Sequence, residues 1–202
     1  MYNVKFSITV MIAGMLLTAL SCKEGFRKPD ATYASTDTTM MQDSSLLVSR
    51  GEYLVNAIGC ADCHSPKRMG PAGPEIIPEL HLSGFQQNSV QPEADTLAVK
   101  KGWVLFSPDL TSAVGPWGQS FAANITSDPT GIGNWSEEQF LRAMREGKFK
   151  GLENSRTLLP PMPWPVYRNL TDEDIRSIYF FLMSTKPVKN VVPWPKTPVA
   201  LQ

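Results

Sequence analysis

Apolar side chains recur at helical spacing in three stretches of the chain. The first stretch runs towards Gly59, a residue type that often ends a helix. Its apolar positions are Leu46, Leu47, Tyr53, Leu54, Val55 and Ile58. The second stretch begins at Ser136, which forms a capping box with Gln139, and continues to Glu146 before Gly147. The apolar face of this second predicted helix consists of Phe140, Leu141 and Met144.

A third helix is predicted from Thr171 to about Ser184. Thr171 and Asp174 repeat the capping pattern, and Pro187 ends the element. The apolar positions of this helix are Ile175, Ile178, Tyr179 and Leu182. The hydrophobic pattern therefore predicts a mainly α fold.

The helical pattern is lost between these segments. Residues 65–78 are dense in proline and glycine and read as a loop, and residues 80–126 show no strong helical period. A short strand is predicted at 103–106, followed by a turn at 107–109. Sixteen of the 17 prolines lie from residue 66 onward, so we expect long ordered loops and an extended tail.

The N-terminal segment has the organisation of an export signal. Lys5 precedes the uncharged, mostly apolar stretch 6–20, which is short for a transmembrane helix and fits a secretory signal better. The stretch ends in Ala19-Leu20-Ser21-Cys22 and resembles a bacterial lipoprotein signal, in which Cys22 becomes the lipidated first residue. A plain signal peptide, or an uncleaved anchor with Cys22 incidental, is the alternative.

Composition divides the chain into segments, and the charge balance argues against two classes of function. We predict a signal peptide at 1–21, a flexible Ser/Thr/Asp/Lys-rich tether at 22–45, one domain at 46–192 and a tail at 193–202. Formal charge is balanced at 19 basic against 19 acidic side chains. There is thus no electrostatic case for binding nucleic acid or a polybasic contact with a membrane surface.

The motif that carries chemistry is Cys60-Ala61-Asp62-Cys63-His64. C-x-x-C-H is the attachment signature of a c-type haem: two thiols three residues apart reach both vinyl groups, and the adjacent imidazole becomes an axial ligand. A redox-active C-x-x-C or a zinc site is the alternative. The first lacks a visible βαβ context, and the second needs more ligands than remain. Only one such motif occurs, so we expect one haem. The chain has three cysteines, and with Cys60 and Cys63 assigned to haem and Cys22 to lipid, none remains for a disulfide.

The second axial ligand is predicted to be Met162. It lies in Leu159-Pro160-Pro161-Met162-Pro163-Trp164-Pro165, where the prolines exclude helix and give a rigid loop suited to holding a thioether against a metal. The alternative for Met162 is simple packing. His81, the only other histidine, is expected to be a surface or packing residue. Met144 and Met183 fall on helical apolar faces, where packing is the usual role.

Three segments together resemble class I cytochromes c, and more closely the cytochrome c subunits of membrane-bound alcohol and sugar-acid dehydrogenases. The segments are Arg50 to Pro66, Gly115 to Trp135 and Pro160 to Asp174. The resemblance implies a cytochrome c-like helical domain around one covalently bound haem, with long Pro/Gly-rich loops and little regular sheet.

The resemblance also implies roles for individual residues. It implies thioether bonds at Cys60 and Cys63, axial ligation by His64 and Met162, and a proline carbonyl that accepts a hydrogen bond from the proximal histidine. Pro71 and Pro74 are the candidates for that proline. Further family positions that line the haem pocket, or else pack in the core, are Trp117, Asn124, Trp135, Trp164 and Tyr167.

These observations favour one-electron transfer over catalysis. A methionine on the iron raises the potential and blocks substrate access, so no residue is assigned as acid, base or nucleophile. We expect an exported carrier on the periplasmic side of a bacterial membrane, anchored through Cys22 and exchanging electrons with a dehydrogenase, an oxidase or another cytochrome. The alternative is a peroxidase-like haem enzyme or gas sensor with an open sixth site. A structural subunit of a larger dehydrogenase is a third possibility.

Overall fold

The computed structural model describes residues 36–90 and 93–198, with side chains from residue 43 onward. The predicted signal peptide at 1–21, Cys22 and the start of the tether lie outside the described residues. Six helices and five strands are described, with 3₁₀ turns at Pro78–Leu80 and Phe149–Gly151. They are α1 (Thr36–Ala57), α2 (Cys60–His64), β1 (Lys67–Gly70), β2 (Gly73–Ile76), α3 (Thr96–Lys100), β3 (Leu105–Phe106), β4 (Ser112–Gly115), β5 (Gly118–Phe121), α4 (Glu137–Glu146), α5 (Trp164–Tyr167) and α6 (Asp172–Ser184). None of the described helices is long and apolar enough to cross a membrane.

The three predicted helices form, and the end of α1 and both ends of α4 and α6 lie where the sequence pattern places them. After α1 the chain turns at Gly59, which has a φ of 76°. Both halves of the predicted capping box of α4 are present, and this helix ends at Gly147 with a φ of 66°. The Thr171 side chain accepts from the backbone of Asp174 at the start of α6. Local side-chain chemistry therefore sets these helix ends.

Helix α1 begins earlier than the apolar pattern indicates. It starts at Thr36, inside the segment 22–45 whose composition favours a flexible tether. Extending an existing helix adds one hydrogen bond for each residue fixed, whereas starting a new helix is costly. The packed second half of α1 can therefore carry a polar extension that its composition would not support alone.

The core forms where α1 crosses α6. At Gly51 the two helices approach so closely that a Cβ atom would overlap with the Ser177 carbonyl and the Phe181 side chain. Beside this crossing, the Arg50 guanidinium donates to the Asp174 carboxylate at 2.9 and 3.0 Å. The buried apolar cluster consists of Leu54, Val55, Ala61, Leu82, Ile132, Phe140, Met144, Ile175, Ile178 and Leu182.

Two small antiparallel sheets occupy the stretch that the sequence pattern leaves as loops. Strands β1 and β2 form a hairpin directly after α2, and β3, β4 and β5 form a second sheet in that order. The strand predicted at 103–106 is present only as Leu105–Phe106. Strands of two to four residues are too short to show an alternating pattern, which is why the sequence did not reveal them.

The end of the described chain is packed onto this second sheet. Lys196 and Gln119 exchange two backbone hydrogen bonds at 2.9 and 3.0 Å. The Trp194 ring lies 5.8 Å from that of Phe149, measured between centroids. Residues 196–198 thus lie along the outer edge of β5, so the tail that the prolines predict to be extended is paired with the sheet at this point.

We expect Gly51→Ala to destabilise the protein. The added methyl group must separate α1 from α6, and overpacking of this kind costs about 1–3 kcal/mol, against a gain of about 1 kcal/mol in helix propensity. Chemical denaturation measures the difference. Ser49→Ala, on an exposed position of the same helix, is the control and should change stability little. A Gly51→Ala protein more stable than the original would contradict the close crossing.

Candidate functional site

Both cysteines of the motif lie on the short helix α2. Gly59 turns the chain into this helix, and Ala61 is buried against the core, which leaves Cys60 and Cys63 half-buried one helical turn apart. Both thiols are free. The Tyr167 hydroxyl donates to the Ile58 carbonyl at 2.9 Å and so ties α5 to the chain just before the motif.

The surroundings of the thiols favour their protonated form. Burial raises the pKa of Cys60 to about 11, and burial also raises the pKa of Cys63 while the Lys67 ammonium opposes that shift. The pKa of Tyr167 is raised to about 12, mainly by burial and further by the negative charge that Cys60 and Cys63 carry once they are deprotonated. The hydroxyl of Tyr167 therefore lies within electrostatic range of both cysteines.

Lys67 fastens the end of α2 to the second sheet. Its ammonium donates to the carbonyl of Asp62, to that of Ser65 at 3.3 Å and to that of Asp109 at 3.0 Å. The first two carbonyls belong to the C-terminal end of the short helix, where a cation is favoured. Asp109 lies in the turn between β3 and β4, so one side chain joins that turn to the motif.

His64 is held by a backbone carbonyl from a distant part of the chain. Its Nδ1 lies 2.7 Å from the Ala123 carbonyl oxygen, 59 residues along the sequence. A carbonyl only accepts, so Nδ1 carries the proton and Nε2 keeps its lone pair. Burial lowers the pKa of His64, and the hydrogen bond to Ala123 opposes this shift. A neutral imidazole with a free Nε2 is the form that binds a metal.

The proline expected to accept from His64 is not the acceptor. Pro71 and Pro74 lie exposed in the β1–β2 hairpin, where Pro74 pairs with Met69. The two-residue turn Pro71-Ala72 joins β1 to β2, and both prolines are exposed in this hairpin. A backbone carbonyl can come from any residue type, so no sequence signal singles out Ala123.

Met162 lies half-buried in its proline-rich loop. The Ser120 hydroxyl donates to the Pro160 carbonyl at 2.6 Å, and Met162 N donates to the Leu159 carbonyl at 3.3 Å. The Pro160–Pro161 peptide bond is cis. Met162, Cys60 and Tyr167 all pack against the one buried apolar cluster of the core. The fold thus brings the loop and the motif to a common apolar surface.

The remaining predicted positions divide between packing and hydrogen bonding. Trp135 packs against the core, and the Trp164 ring packs directly against Gly147. Trp117 donates to the Ser120 hydroxyl at 3.2 Å. Asn124 is 4% exposed and is fully engaged in hydrogen bonds. His81 is half-buried at the end of a 3₁₀ turn, where burial lowers its pKa.

The geometry agrees with a comparison against known families. The cytochrome c family matches residues 48–186, which include the motif, the Ala123 loop and Met162. The chain belongs to the cytochrome c family. Members of this family carry covalently bound haem c and transfer electrons. The donor set of this cytochrome fits that group, since it combines two free thiols on one helical turn with a neutral imidazole whose Nε2 is available.

Curated relatives confirm the resemblance to dehydrogenase subunits. The cytochrome is 32% identical over 161 residues to the gluconate 2-dehydrogenase cytochrome c subunit of Pantoea cypripedii, covering 76% of this chain and 28% of that protein. It is 35% identical over 153 residues to the fructose dehydrogenase cytochrome subunit of Gluconobacter japonicus (74% and 23%). It is 33% identical over 156 residues to the cytochrome c subunit of the quinone-dependent alcohol dehydrogenase of Gluconobacter oxydans (74% and 25%). The chain thus spans less than a third of each of these relatives.

We expect Tyr167→Phe to weaken the fold around the motif without changing the attachment residues. The variant leaves the Ile58 carbonyl without its donor, which costs about 1 kcal/mol. Urea denaturation measures this loss. Tyr53→Phe is the matched control, because Tyr53 is 62% exposed on α1. Equal stabilities of the two variants would show that the Tyr167 hydroxyl does not support the site.

Proposed function

We propose that this cytochrome is a one-electron carrier with a single haem c. In this proposal the haem is attached at Cys60 and Cys63, with His64 and Met162 as axial ligands. The observation that carries the proposal is the geometry of His64. Its Nδ1–H is committed to the Ala123 carbonyl at 2.7 Å, so Nε2 is the nitrogen left to bind iron.

The attachment step follows from the positions of the two thiols. Residues three apart on a helical turn share one face, so Cys60 and Cys63 present their sulfur atoms to one planar group. With a haem present, each thiol would add across one vinyl double bond, with the sulfur bonding to one carbon and the hydrogen going to the other. No electron is gained or lost in this addition, and two thioethers replace two thiols.

The axial side chains then define the chemistry. When bound, the haem supplies an iron that alternates between the ferric and ferrous states. His64, held in a fixed orientation by Ala123, would be one ligand of this iron, and the Met162 thioether would be the other and would favour the ferrous state. With side chains as both of these ligands, a substrate would find no open site on the iron, which favours electron transfer over catalysis.

The location and partners follow from the N-terminus and the relatives. The proposed lipoprotein signal exports the domain and leaves it anchored through Cys22 on the periplasmic side of a bacterial membrane, with the segment 22–45 as the tether that its composition predicts. The relatives are described as cytochrome subunits of gluconate and fructose dehydrogenases. A dehydrogenase is therefore the partner we propose as electron donor, with an oxidase or a second cytochrome as acceptor. Such encounters use small, transient interfaces.

We expect Met162→Ala to keep the haem attached and open one face of the iron. Loss of the thioether lowers the reduction potential by up to a few tenths of a volt, within the span of about 0.8 V that axial ligands control. Redox titration measures the potential, and carbon monoxide added to the reduced protein reports the open site.

Met183→Ala is the matched control for Met162→Ala, because Met183 is also half-buried and packs against the same core. This control should keep the original potential and should bind carbon monoxide no faster than the unmodified protein. If Met162→Ala leaves the potential unchanged, Met162 is not the ligand. Rapid, complete carbon monoxide binding by the unmodified protein favours a haem enzyme or gas sensor instead.

We expect the double variant Cys60→Ala, Cys63→Ala to lack covalent haem, because no sulfur remains to form a thioether. Mass spectrometry of the exported protein under denaturing conditions measures this directly. The single variant Cys60→Ala should retain one thioether, at Cys63, and so shows that each cysteine forms its own bond to the haem. A double variant that still carries the mass of haem would rule out this site of attachment.

A further inference from the structure

The acceptor of the His64 hydrogen bond lies in a clamp of two segments, residues 82–87 and 122–126. The two segments run side by side and are joined by backbone hydrogen bonds on either side of Ala123. These bonds run from Phe85 N to Ala122 O at 2.9 Å and from Ile125 N to Leu82 O at 3.0 Å. The Ala123 carbonyl can therefore move only if the clamp moves.

Gly84 contacts both the backbone of His64 and Ala123, whose carbonyl accepts the hydrogen bond of the His64 side chain. The Gly84 N–H donates to the His64 carbonyl at 2.7 Å. Its Cα lies so close to the other segment that a Cβ atom would overlap with the carbonyl groups of Ala122 and Ala123. Its φ of 72° is a conformation that glycine adopts without strain. A shift of Gly84 would disturb His64 at both ends.

Asn190 holds the peptide groups on either side of Gly84. Its Nδ2 donates to the carbonyls of Ser83 and Phe85 at 2.8 and 2.9 Å, and its Oδ1 accepts from Gln87 N at 3.1 Å. The residue is 6% exposed, so losing these bonds would leave buried carbonyl groups without donors. One amide side chain thus fixes the first segment of the clamp.

Asn124 fixes the second segment of the clamp, and it directly follows Ala123, the acceptor of the His64 hydrogen bond. Its Oδ1 accepts from the backbone and the hydroxyl of Thr126 at 3.0 and 2.8 Å. Its Nδ2 donates to the carbonyls of Val188 and Asn190 at 2.8 and 3.3 Å, and to the Thr130 hydroxyl at 3.2 Å. Both segments of the clamp are therefore fastened to residues 188–190.

We propose that Asn124 and Asn190 are positioning residues that set the hydrogen bond between His64 and Ala123, and through it the reduction potential of the haem. A hydrogen bond that pulls on the Nδ1 proton makes the imidazole a stronger donor at Nε2, which stabilises ferric iron. A looser clamp lengthens this bond and raises the potential. The inference rests on the proposed function in one respect: His64 must be an axial ligand.

The test uses the complete, haem-loaded protein with Asn190→Ala. At one applied potential near the original midpoint, we expect the ratio of reduced to oxidised protein to rise roughly threefold, as one weakened hydrogen bond allows. The Nδ1–H resonance of His64 in the reduced protein should move towards the position of a weaker hydrogen bond. Both readouts report on His64 and not on stability alone.

Gln119→Ala is the matched control. Gln119 is likewise a buried amide, at 5% exposure, and its Nε2 donates to the Ser112 hydroxyl at 3.0 Å inside the second sheet and not to a residue of the clamp. We expect this variant to lose stability while the redox ratio and the His64 resonance stay unchanged. The same redox shift in Gln119→Ala would show that general loosening of the fold explains the effect, and would overturn the proposal.

A milder variant covers the case in which Asn190→Ala does not fold. Thr130→Val keeps the side-chain volume but removes the hydroxyl that accepts from Asn190 N at 2.9 Å and from Asn124 Nδ2. We expect a smaller redox shift in the same direction. If Thr130→Val and any folded Asn190→Ala protein keep the original ratio and resonance, the clamp does not tune His64. An unmodified protein without the spectrum of axial histidine would instead refute the proposed function.

Discussion

The hydrogen bond from Nδ1 of His64 to the Ala123 carbonyl is the contact on which the proposed site depends. The motif supplies thiols and an imidazole within five residues, but an imidazole ring can rotate unless its second nitrogen is held. Ala123 holds it from 59 residues away. The orientation of the His64 imidazole, the proposed iron ligand, thus depends on the folding of the middle of the chain and not on the motif alone.

The rest of the structure can be understood as support for this contact. The crossing of α1 and α6 at Gly51 provides the apolar cluster on which Cys60, Met162 and Tyr167 pack. A hydrogen bond from Lys67 to the Asp109 carbonyl links the second sheet to the motif. A hydrogen bond from Ser120 to the Pro160 carbonyl links the same sheet to the proline-rich loop. Two buried asparagines then join the Ala123 segment to residues 188–190. A protein that exchanges single electrons benefits from such rigidity, because its ligands need to move little between the two oxidation states.

The sequence was sufficient to predict the features that depend on local chemistry. The capping box of α4, the Thr171 cap of α6 and the turn at Gly59 each follow from side chains within a few residues of the helix end. The family resemblance likewise rested on short motifs and is confirmed by the match over residues 48–186. Apart from β3, which is the shortened form of the strand predicted at 103–106, the strands were missed because they are too short for a periodic signal. The acceptor of His64 was wrongly expected to be a proline, since a backbone carbonyl leaves no mark on the residue type.

The near-infrared magnetic circular dichroism spectrum of the oxidised, unmodified protein tests the central claim most directly, because it identifies the axial ligands of a ferric haem in the intact molecule. We expect the low-spin spectrum of one haem with histidine and thioether ligands. A spectrum of two histidines, or of a high-spin iron with an open position, would contradict the assignment of His64 and Met162 as the axial pair.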